Sequence, residues 1–445
     1  MSHLALIGTA VVAAGTVRQA LILAAIARSR RFLGRGPGTP GRPAPGQVPP
    51  SFFIIVPVLR EAAILEEAVA HFRAVAHGHA AAVVIVTTAR EAAEAPAHAA
   101  ADTVGLARTL AARGRCVHVH SPDPLGLKAD QLNHAAASCK GILPAGLAAS
   151  QAFAVCYDAD SRPPPDSLDR LTAAIAQNPA AGVFHQSSRF EYRGPRQPGL
   201  RPRAWLREAV CDAGALRANR FVLGFEIPRL ANRSARASPL RRALCGGVYA
   251  HVTGHGLCIR LSLLEQLPFP ARSPLEDMHY SFILGSRVLP MIPVPSLDTA
   301  EVPASVTAQL QQAARWFFGP ARAIRYLHDP ATRRSLRSAV MAASALGSAA
   351  EWIGCAVVPA LACVLLAAGP VPVRAAAACF AAVCAVQVAL TEAWLGAPGR
   401  ARARVARVLA FPLACAVHGA GGIAGAACLL AGGTGTGKTE RGAGT

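Results

Sequence analysis

The sequence has 445 residues, of which 52% are hydrophobic and 16% are charged. The apolar content excludes a disordered chain, the length excludes a small disulfide scaffold, and the lack of a Gly-X-Y period excludes collagen. Lys and Arg number 45 against 25 Asp and Glu, a net charge of +20. Much of the Arg adjoins apolar stretches, which favours an anionic membrane surface over nucleic acid as the partner.

The N-terminal segment is apolar over residues 4–27, interrupted only by Arg18 and Gln19. About 20 such residues span a bilayer, so we predict a transmembrane helix over residues 1–27. A cluster of arginines follows at residues 28–35, within a basic linker rich in Pro and Gly over residues 28–50. The positive-inside rule, with a second basic cluster at residues 333–337, then places residues 28 to about 337 in the cytoplasm and the N-terminus outside.

Residues 51–337 alternate short apolar runs with helical periods, which predicts an α/β domain. The predicted strands are residues 52–58, 81–88, 116–120 and 152–157, and the predicted helices are residues 61–76 and 129–137. Strands separated by helices imply a mostly parallel sheet with helices on both faces. In such sheets ligands bind beyond the carboxyl ends of the strands.

The C-terminal region, residues 338–432, contains about three apolar segments, at residues 339–369, 373–395 and 408–432, and a polar basic tail follows at residues 433–445. We therefore predict a multi-pass protein of the cell membrane with its α/β domain in the cytoplasm. The glycine-rich last segment is a candidate re-entrant run. Glu351 lies inside the first segment, so we expect it to face protein or to belong to an interfacial stretch. The 12 cysteines contain no C-x-x-C pair and are predicted to be buried apolar side chains in a reducing compartment.

Asp158 and Asp160 follow an apolar strand. Side chains at i and i+2 of a strand point the same way, so the two carboxylates can converge on one Mg²⁺ or Mn²⁺ ion. The alternative is that both are solvated turn residues. Lys128 opens a helix and can pair with phosphate or with carboxylates, or lie on the surface.

Two further clusters occur downstream. Glu276 and Asp277 enter a helix, where they could supply a base or merely a favourable first-turn charge. Gln312, Arg315 and Trp316 offer a fixed cation for a leaving phosphate and an indole face for a sugar, or else form part of an amphipathic helix on the membrane.

The ordered set of these motifs resembles membrane-embedded family 2 glycosyltransferases, the group that contains cellulose, chitin and hyaluronan synthases. The resemblance covers residues 52–325. It rests on five motifs in order: Val56-Pro57-x-x-x-Glu61, Lys128-Ala-Asp-Gln-Leu-Asn133, Asp158-x-Asp160, Glu276-Asp277 and Gln312-x-x-Arg315-Trp316.

The resemblance implies a GT-A domain that transfers a sugar, with inversion, from a nucleotide-sugar to a saccharide or glycan acceptor, aided by Mg²⁺ or Mn²⁺. It implies a general base at Asp277, preceded by Glu276, and a metal ligand at Asp160. Lys128 and Asp158 would hold nucleotide and phosphate. The remaining implied residues are Pro57 and Glu61 at the nucleotide, and Gln312, Arg315 and Trp316 at the diphosphate and acceptor.

The sequence departs from the family at two of these positions. Thr87 and Thr88 end the second strand where the family carries an Asp that contacts the nucleotide base. Thr87 is therefore the candidate for that contact, and specificity for a uridine donor is less strongly indicated. Leu275 precedes Glu276 in place of the usual Thr. The small number of apolar segments argues against a long processive channel.

Two local patterns mimic other sites. Residues 432–439 match the phosphate-loop expression, but too few residues follow to form its helix. His251 and His255 have the spacing of a zinc pair, but glycines at 254 and 256 argue for a loop near the acceptor instead. Alternative functions are a single-transfer enzyme that glycosylates a polyprenyl phosphate or other lipid, and a non-catalytic membrane transporter or scaffold.

Overall fold

The computed structural model describes residues 3–35, 49–94, 102–143, 145–194, 202–234, 238, 249–396 and 401–433. The phosphate-loop pattern at residues 432–439 and most of the predicted linker and tail lie outside these residues. Residues 28–33 of the predicted linker are helical, because the N-terminal helix continues as far as Leu33.

A seven-stranded sheet forms the centre of residues 51–301. Its strands are β1 Ser51–Pro57, β2 Ala81–Thr88, β3 Val117–Ser121, β4 Ala152–Cys156, β5 Val183–Glu191, β6 Leu257–Arg260 and β7 Met291–Glu301. The order across the sheet is β3-β2-β1-β4-β6-β5-β7. Only β6 runs antiparallel to its neighbours, which confirms the predicted mostly parallel sheet.

Helices surround this sheet and continue into a C-terminal bundle. They are α1 His3–Leu33, α2 Ala62–Ala76, α3 Arg90–Glu94, α4 Thr103–Ala112, α5 Lys128–Gly141, α6 Ser167–Gln177, α7 Pro202–Phe221, α8 Ile227–Arg233, α9 Leu261–Gln266, α10 Glu276–Ser286, α11 Val306–Ala321, α12 Ala323–Tyr326, α13 Leu336–Ala368, α14 Val371–Leu395 and α15 Ala401–Leu430. A π-helical turn, Val222–Glu226, joins α7 to α8.

Each face of the sheet has its own apolar core. On one face, α2 buries Leu65, Val69 and Phe72 against β1, β2 and β4, the helical spacing expected from the sequence. On the other, α5 and α10 pack on the same strands through Leu132 and Tyr280. The layering is that of an α/β fold with helices on both faces.

Three helices of the described chain are long and apolar enough to cross a membrane: α13, α14 and α15. The predicted N-terminal span lies within α1, which packs against α14; that it crosses the membrane stays a prediction. Glu351 of α13 forms an ion pair with Arg18 of α1, and about half of each side chain is exposed; its two expected settings, facing protein or in an interfacial stretch, stay predictions.

The glycine-rich C-terminal run is one continuous helix of 30 residues, α15, so the candidate re-entrant loop is wrong. Its glycines permit close packing against α11. A methyl group added at Gly421 would lie 2.6 Å from the Cβ of Ala313, and one at Gly425 would lie 2.6 Å from the carbonyl oxygen of Ala314. Since α11 also carries Arg315, this contact fixes a site helix directly on a candidate membrane helix.

Candidate active site

The carboxyl ends of β1 and β4 open into one cavity of about 1710 Å³, and most of the predicted site residues line it. Ten of them do so: Pro57, Glu61, Lys128, Asp158, Asp160, Glu276, Asp277, Gln312, Arg315 and Trp316. They come from five segments of the chain, between Pro57 and Trp316, and the fold brings them to one cavity.

Lys128 is the centre of this group. It is the first residue of α5, and its Nζ donates to Asp158 Oδ1 at 2.6 Å and to the Gly254 carbonyl oxygen at 3.0 Å. Glu276 Oε1 lies 3.6 Å from the same nitrogen. Burial acts to lower the pKa of Lys128, but Asp158 and Glu276 outweigh it and raise the pKa. Lys128 is therefore a permanent cation that ties β4 to α10.

Asp277 is oriented by two backbone N–H groups. Its Oδ2 accepts from Gly254 at 2.9 Å, and its Oδ1 accepts from Met278 at 2.7 Å. These two bonds fix the direction of the Asp277 carboxylate. The Asp277 carboxylate also lines the cavity, where it can accept a further proton or hydrogen bond from a ligand.

Gly254 belongs to the site, although none of the five sequence motifs includes it. It contacts both Lys128 and Asp277 through its backbone, and a methyl group there would lie 2.9 Å from Glu276 Oε1 and 3.0 Å from Lys128 Nζ. Only a residue without a side chain lets the loop approach this closely. The signal in the sequence was the pair of glycines around His255, which indicated a loop but not its partners.

Glu276 has a different environment from its neighbour Asp277. Its side chain is 9% exposed, and burial raises its pKa to about 7, with Lys128 opposing the rise and Asp277 adding to it. Glu276 therefore holds a proton more readily than an ordinary carboxyl group. Glu276 is placed behind the site, against Lys128, whereas Asp277 is held open to it.

Arg315 approaches the same carboxylates from α11. Burial lowers its pKa, while the charges of Asp158 and Glu276 act to raise it, so the guanidinium stays charged near the carboxylate group. Helix α11 begins at a Ser305 cap, whose side chain accepts from the Ala308 N–H at 3.1 Å, and this start directs Gln312, Arg315 and Trp316 to the cavity.

Asp158 and Asp160 lie in the turn after β4, and both line the cavity. The Asp158 side chain is 38% exposed, although one oxygen bonds to Lys128. No group of three or more His, Cys, Asp or Glu side chains suited to a metal occurs in the described ranges. Two hard carboxylate donors beside open space nevertheless fit Mg²⁺ or Mn²⁺, which take one or two protein carboxylates and complete their shell with water and phosphate.

Thr87 lies apart from this wall. It is fully buried, and its hydroxyl bonds to His118 Nε2 at 2.8 Å and to His120 Nδ1 at 2.9 Å. The suggested contact of Thr87 with a base is wrong, because the side chain points to β3. Thr88 and Arg90 are the residues of this strand end that line the cavity.

The two histidines of the zinc-like spacing have separate partners. His251 stacks between Phe221 and Tyr249, with ring centroids 5.7 and 5.8 Å apart. His255 Nδ1 lies 3.3 Å from Asp298 Oδ2. Burial acts to lower the pKa of His255, but Asp298 outweighs it and raises the pKa to about 9. Both rings line the cavity, and both belong to a loop, as predicted from the glycines at 254 and 256.

The cavity extends from the carboxylates to the apolar helices. Its far wall contains Arg217 and Arg220 of α7, Arg229 of α8, and the Arg18–Glu351 pair. Beyond these cations the lining becomes apolar, with side chains from α1, α13 and α14. One continuous space therefore connects the strand ends with the helices suited to a membrane.

Comparisons with known proteins assign no family to the chain. No family model matches the chain, and no curated protein sequence matches it. Among solved structures, a mannosyltransferase from Pyrobaculum calidifontis in complex with GDP-Man and Mn²⁺ is 19% identical, over 95% of this chain and 99% of that one, with a TM-score of 0.49. Glucosyl-3-phosphoglycerate synthase from Mycobacterium tuberculosis, with Mn²⁺ and UDP, is 13% identical, over 59% of this chain and 75% of that one, with a TM-score of 0.32.

Proposed function

We propose that the protein is an inverting, membrane-associated glycosyltransferase with a GT-A-like domain, which transfers a sugar from a nucleotide-sugar with the help of Mg²⁺ or Mn²⁺. One observation carries this proposal: an anchored carboxylate, a two-carboxylate turn, a half-buried lysine and an arginine on a helix line a single cavity. The motif order in the sequence supports the same reaction. One of the similar solved structures contains GDP-Man and the other contains UDP, so we propose a donor whose nucleotide is either GDP or UDP.

Each group has a role in this reaction. Asp277, fixed by Gly254 and Met278, accepts the proton of the attacking acceptor hydroxyl as its oxygen bonds to the anomeric carbon. The bond from that carbon to the nucleotide diphosphate breaks, and Arg315 stabilises the charge that develops on the leaving oxygens. Lys128 holds Asp158 in position.

The divalent cation would be held by Asp158 and Asp160 and, when bound, would neutralise the diphosphate. The indole of Trp316 and the amide of Gln312 are placed to contact the sugar. Pro57 and Glu61 are proposed to line the nucleotide pocket. The loop that carries Glu61 is anchored, because the N–H of Arg60 donates to Glu91 at 2.8 Å and that of Glu61 donates to Thr103 at 3.2 Å.

Two acceptor classes are open. The Gln312-x-x-Arg315-Trp316 motif favours a saccharide or glycan, whereas the extension of the cavity between α1, α13 and α14 favours an acceptor carried on a lipid. Incubating membranes with a panel of labelled UDP- and GDP-sugars, with Mg²⁺ or Mn²⁺, tests the reaction. We expect label to move to an organic-phase or polymer product with release of nucleoside diphosphate. Turnover of no donor by folded protein would contradict the enzyme and favour a scaffold.

The proposed topology places the α/β domain on the cytoplasmic face, since basic clusters flank it on both sides. Asp166, which is half-exposed at the start of α6, is a suitable labelling position. In intact cells, Asp166→Cys should react with an impermeant thiol reagent no more than the unsubstituted protein, and it should react after lysis. Labelling before lysis would place the domain outside.

A further inference from the structure

The charges that line the cavity are segregated. At the strand ends, Glu61, Asp158, Asp160, Glu276 and Asp277 outnumber the nearby cations Arg90, Lys128 and Arg315. At the far end, four arginines outnumber two carboxylates, and both carboxylates are already engaged: Glu226 bonds to His185 and Glu351 pairs with Arg18. The first end suits a divalent cation, and the second end has an excess of positive charge.

The far arginines are held in fixed directions mainly by neutral groups. Arg220 donates to Gln387 Oε1 at 2.8 Å and to Gln19 Oε1 at 2.6 Å. The guanidinium of Arg229 lies 5.4 Å from the ring centroid of Phe225, and that of Arg18 lies 5.9 Å from the same ring. Arg217 and Arg229 have no hydrogen-bonding partner within the part of the chain that the structure describes. Enclosed arginines with this little negative charge fit a ligand that brings its own anion.

The position of the cluster relative to the membrane helices defines what surrounds the anion. Arg217 and Arg220 are on the last turns of α7, next to the π-helical turn, a feature that is frequent at functional sites. Adjoining them, the cavity wall is apolar, with Ile22 of α1, Val358 and Leu366 of α13, and Phe380 and Val388 of α14. A soluble anion would have no use for this wall, whereas a lipid places its hydrocarbon chain there.

The cluster also lies close to the proposed base. The charges of both Arg229 and Asp277 act on His251, and both act on Tyr249. Arg229 and Asp277 therefore both lie near these two aromatic side chains, and all four residues line the same cavity. An anion bound by Arg229 would bring the group attached to it to the carboxylate wall.

We propose that Arg217, Arg220 and Arg229 bind the anionic headgroup of a membrane lipid, whose hydrocarbon chain lies between α1, α13 and α14. We further propose that this lipid carries the acceptor, a part of the inference that rests on the proposed function. Charge complementarity at the arginines and the adjoining apolar wall together select an anionic amphiphile over a neutral lipid or a free sugar phosphate.

Lipid binding to the purified, full-length protein tests the inference without any donor. The probe is phosphatidic acid, compared with diacylglycerol of the same chains and with soluble glycerol 3-phosphate, by native mass spectrometry or fluorescence competition in detergent. Phosphatidic acid should bind at least about tenfold more tightly than diacylglycerol, since a charge-assisted bond to phosphate is worth more than the 1.4 kcal/mol that corresponds to tenfold. Equal binding of the two lipids, or full competition by glycerol 3-phosphate at the same concentration, would overturn the lipid site.

Variants with opposite expected signs separate a binding role from a structural one. Arg217→Gln and Arg220→Gln should each weaken the binding of phosphatidic acid by about tenfold. Arg108→Gln, at an exposed position outside the cavity, should leave this binding unchanged. Glu351→Gln removes the counter-charge of Arg18 and should tighten binding. If all three cavity variants weaken binding alike, a general loss of structure is responsible and the site is wrong.

The outcomes distinguish this inference from the proposed function. Charge-dependent lipid binding without turnover of any nucleotide-sugar would keep the lipid site and contradict the transferase. Turnover of a nucleotide-sugar in a protein that binds phosphatidic acid and diacylglycerol equally would keep the transferase and contradict the lipid site.

Discussion

The N–H of Gly254 donates to Asp277 Oδ2 at 2.9 Å, while the carbonyl oxygen of the same glycine accepts from Lys128 Nζ at 3.0 Å. A single residue of the loop before β6 thus orients both the proposed base and the cation that holds Asp158. The loop contributes no side chain to either contact, and both contacts depend on the close approach of its backbone. The proposed base and the proposed metal ligands are therefore held in one rigid unit.

Asp277→Asn tests the assignment of the base. The amide keeps the size of the side chain but cannot accept the hydroxyl proton, so we expect turnover to fall by roughly 10²–10⁴-fold. Donor binding, measured by nucleotide titration, should stay nearly unchanged. A folded Asp277→Asn protein with near-normal transfer would show that the residue is only a first-turn helix charge.

Asp160→Asn should lower activity for a different reason, by weakening metal-dependent binding of the nucleotide. Loss of one metal-binding carboxylate should weaken the Mg²⁺- or Mn²⁺-dependent affinity for nucleotide on the order of 10–100-fold, and turnover should fall with it. Excess Mn²⁺ should recover part of the loss in Asp160→Asn and none in Asp277→Asn. If nucleotide affinity in Asp160→Asn matches that of the unsubstituted protein at every Mn²⁺ concentration, Asp160 is not a ligand.

Gly254→Ala tests the role of the loop. The added methyl group would lie 2.9 Å from Glu276 Oε1 and 3.0 Å from Lys128 Nζ, so the loop or these two side-chain ends must shift, and a displacement of about 1 Å can cost on the order of 10²-fold in rate. Gly141→Ala is the matched control, since nothing lies within 4 Å of its new methyl group. We expect kcat to fall in Gly254→Ala and to remain normal in Gly141→Ala, at similar Tm. Equal rates for the two variants would contradict the positioning role.

His255 and Asp298 predict a pH dependence of stability. The pKa of His255 is raised to about 9 in the folded protein, above the ordinary value near 6.5, so the pair stabilises the fold fully below pH 6.5 and loses this contribution as the pH rises through 9. The rise corresponds to roughly 3 kcal/mol at about 1.4 kcal/mol for each pKa unit.

Chemical denaturation between pH 6 and pH 10 measures this contribution. The free energy of unfolding should differ most between the unsubstituted protein and His255→Gln at pH 6, and the difference should shrink toward pH 10. A difference that is constant with pH would show that His255 is neutral in the fold.

Arg407 connects the α/β domain with the C-terminal helices. Its guanidinium bonds to Asp212 of α7 at 2.9 Å and to Glu392 of α14 at 3.0 Å, and all three side chains are buried. Arg407→Gln leaves two buried carboxylates without their cation, so we expect a loss of about 3–5 kcal/mol in stability. Arg404→Gln, at an exposed position of the same helix, should change it by less than about 0.5 kcal/mol. A similar Tm for both variants would contradict the connecting role.

The elements with a strong local signal were predicted from the sequence to within a few residues. Strands β1 to β4 and helix α2 have continuous apolar runs or a clear 3.6-residue period, and α13 to α15 have the length and hydropathy of spans. The strands and α2 follow from burial of their own side chains, and α13 to α15 follow from length and apolar composition, both of which a linear pattern records directly. The charged and aromatic motifs then fixed which residues to expect at the strand ends.

Tertiary structure alone decided which of these residues meet, and what else meets them. Thr87 and Thr88 are neighbours in one strand, yet Thr87 bonds to histidines of β3 while Thr88 lines the cavity, because the alternation of side chains depends on which face the sheet buries. Gly254 has no side chain to signal a role, and its contacts are with Lys128, 126 residues before it, and with Asp277, 23 residues after it. Arg217, Arg220 and Arg229 look like ordinary helix-surface cations in the sequence. Only the packing of α7 and α8 against α1 and α14 encloses them, and enclosure is what gives a charge its strength in recognition.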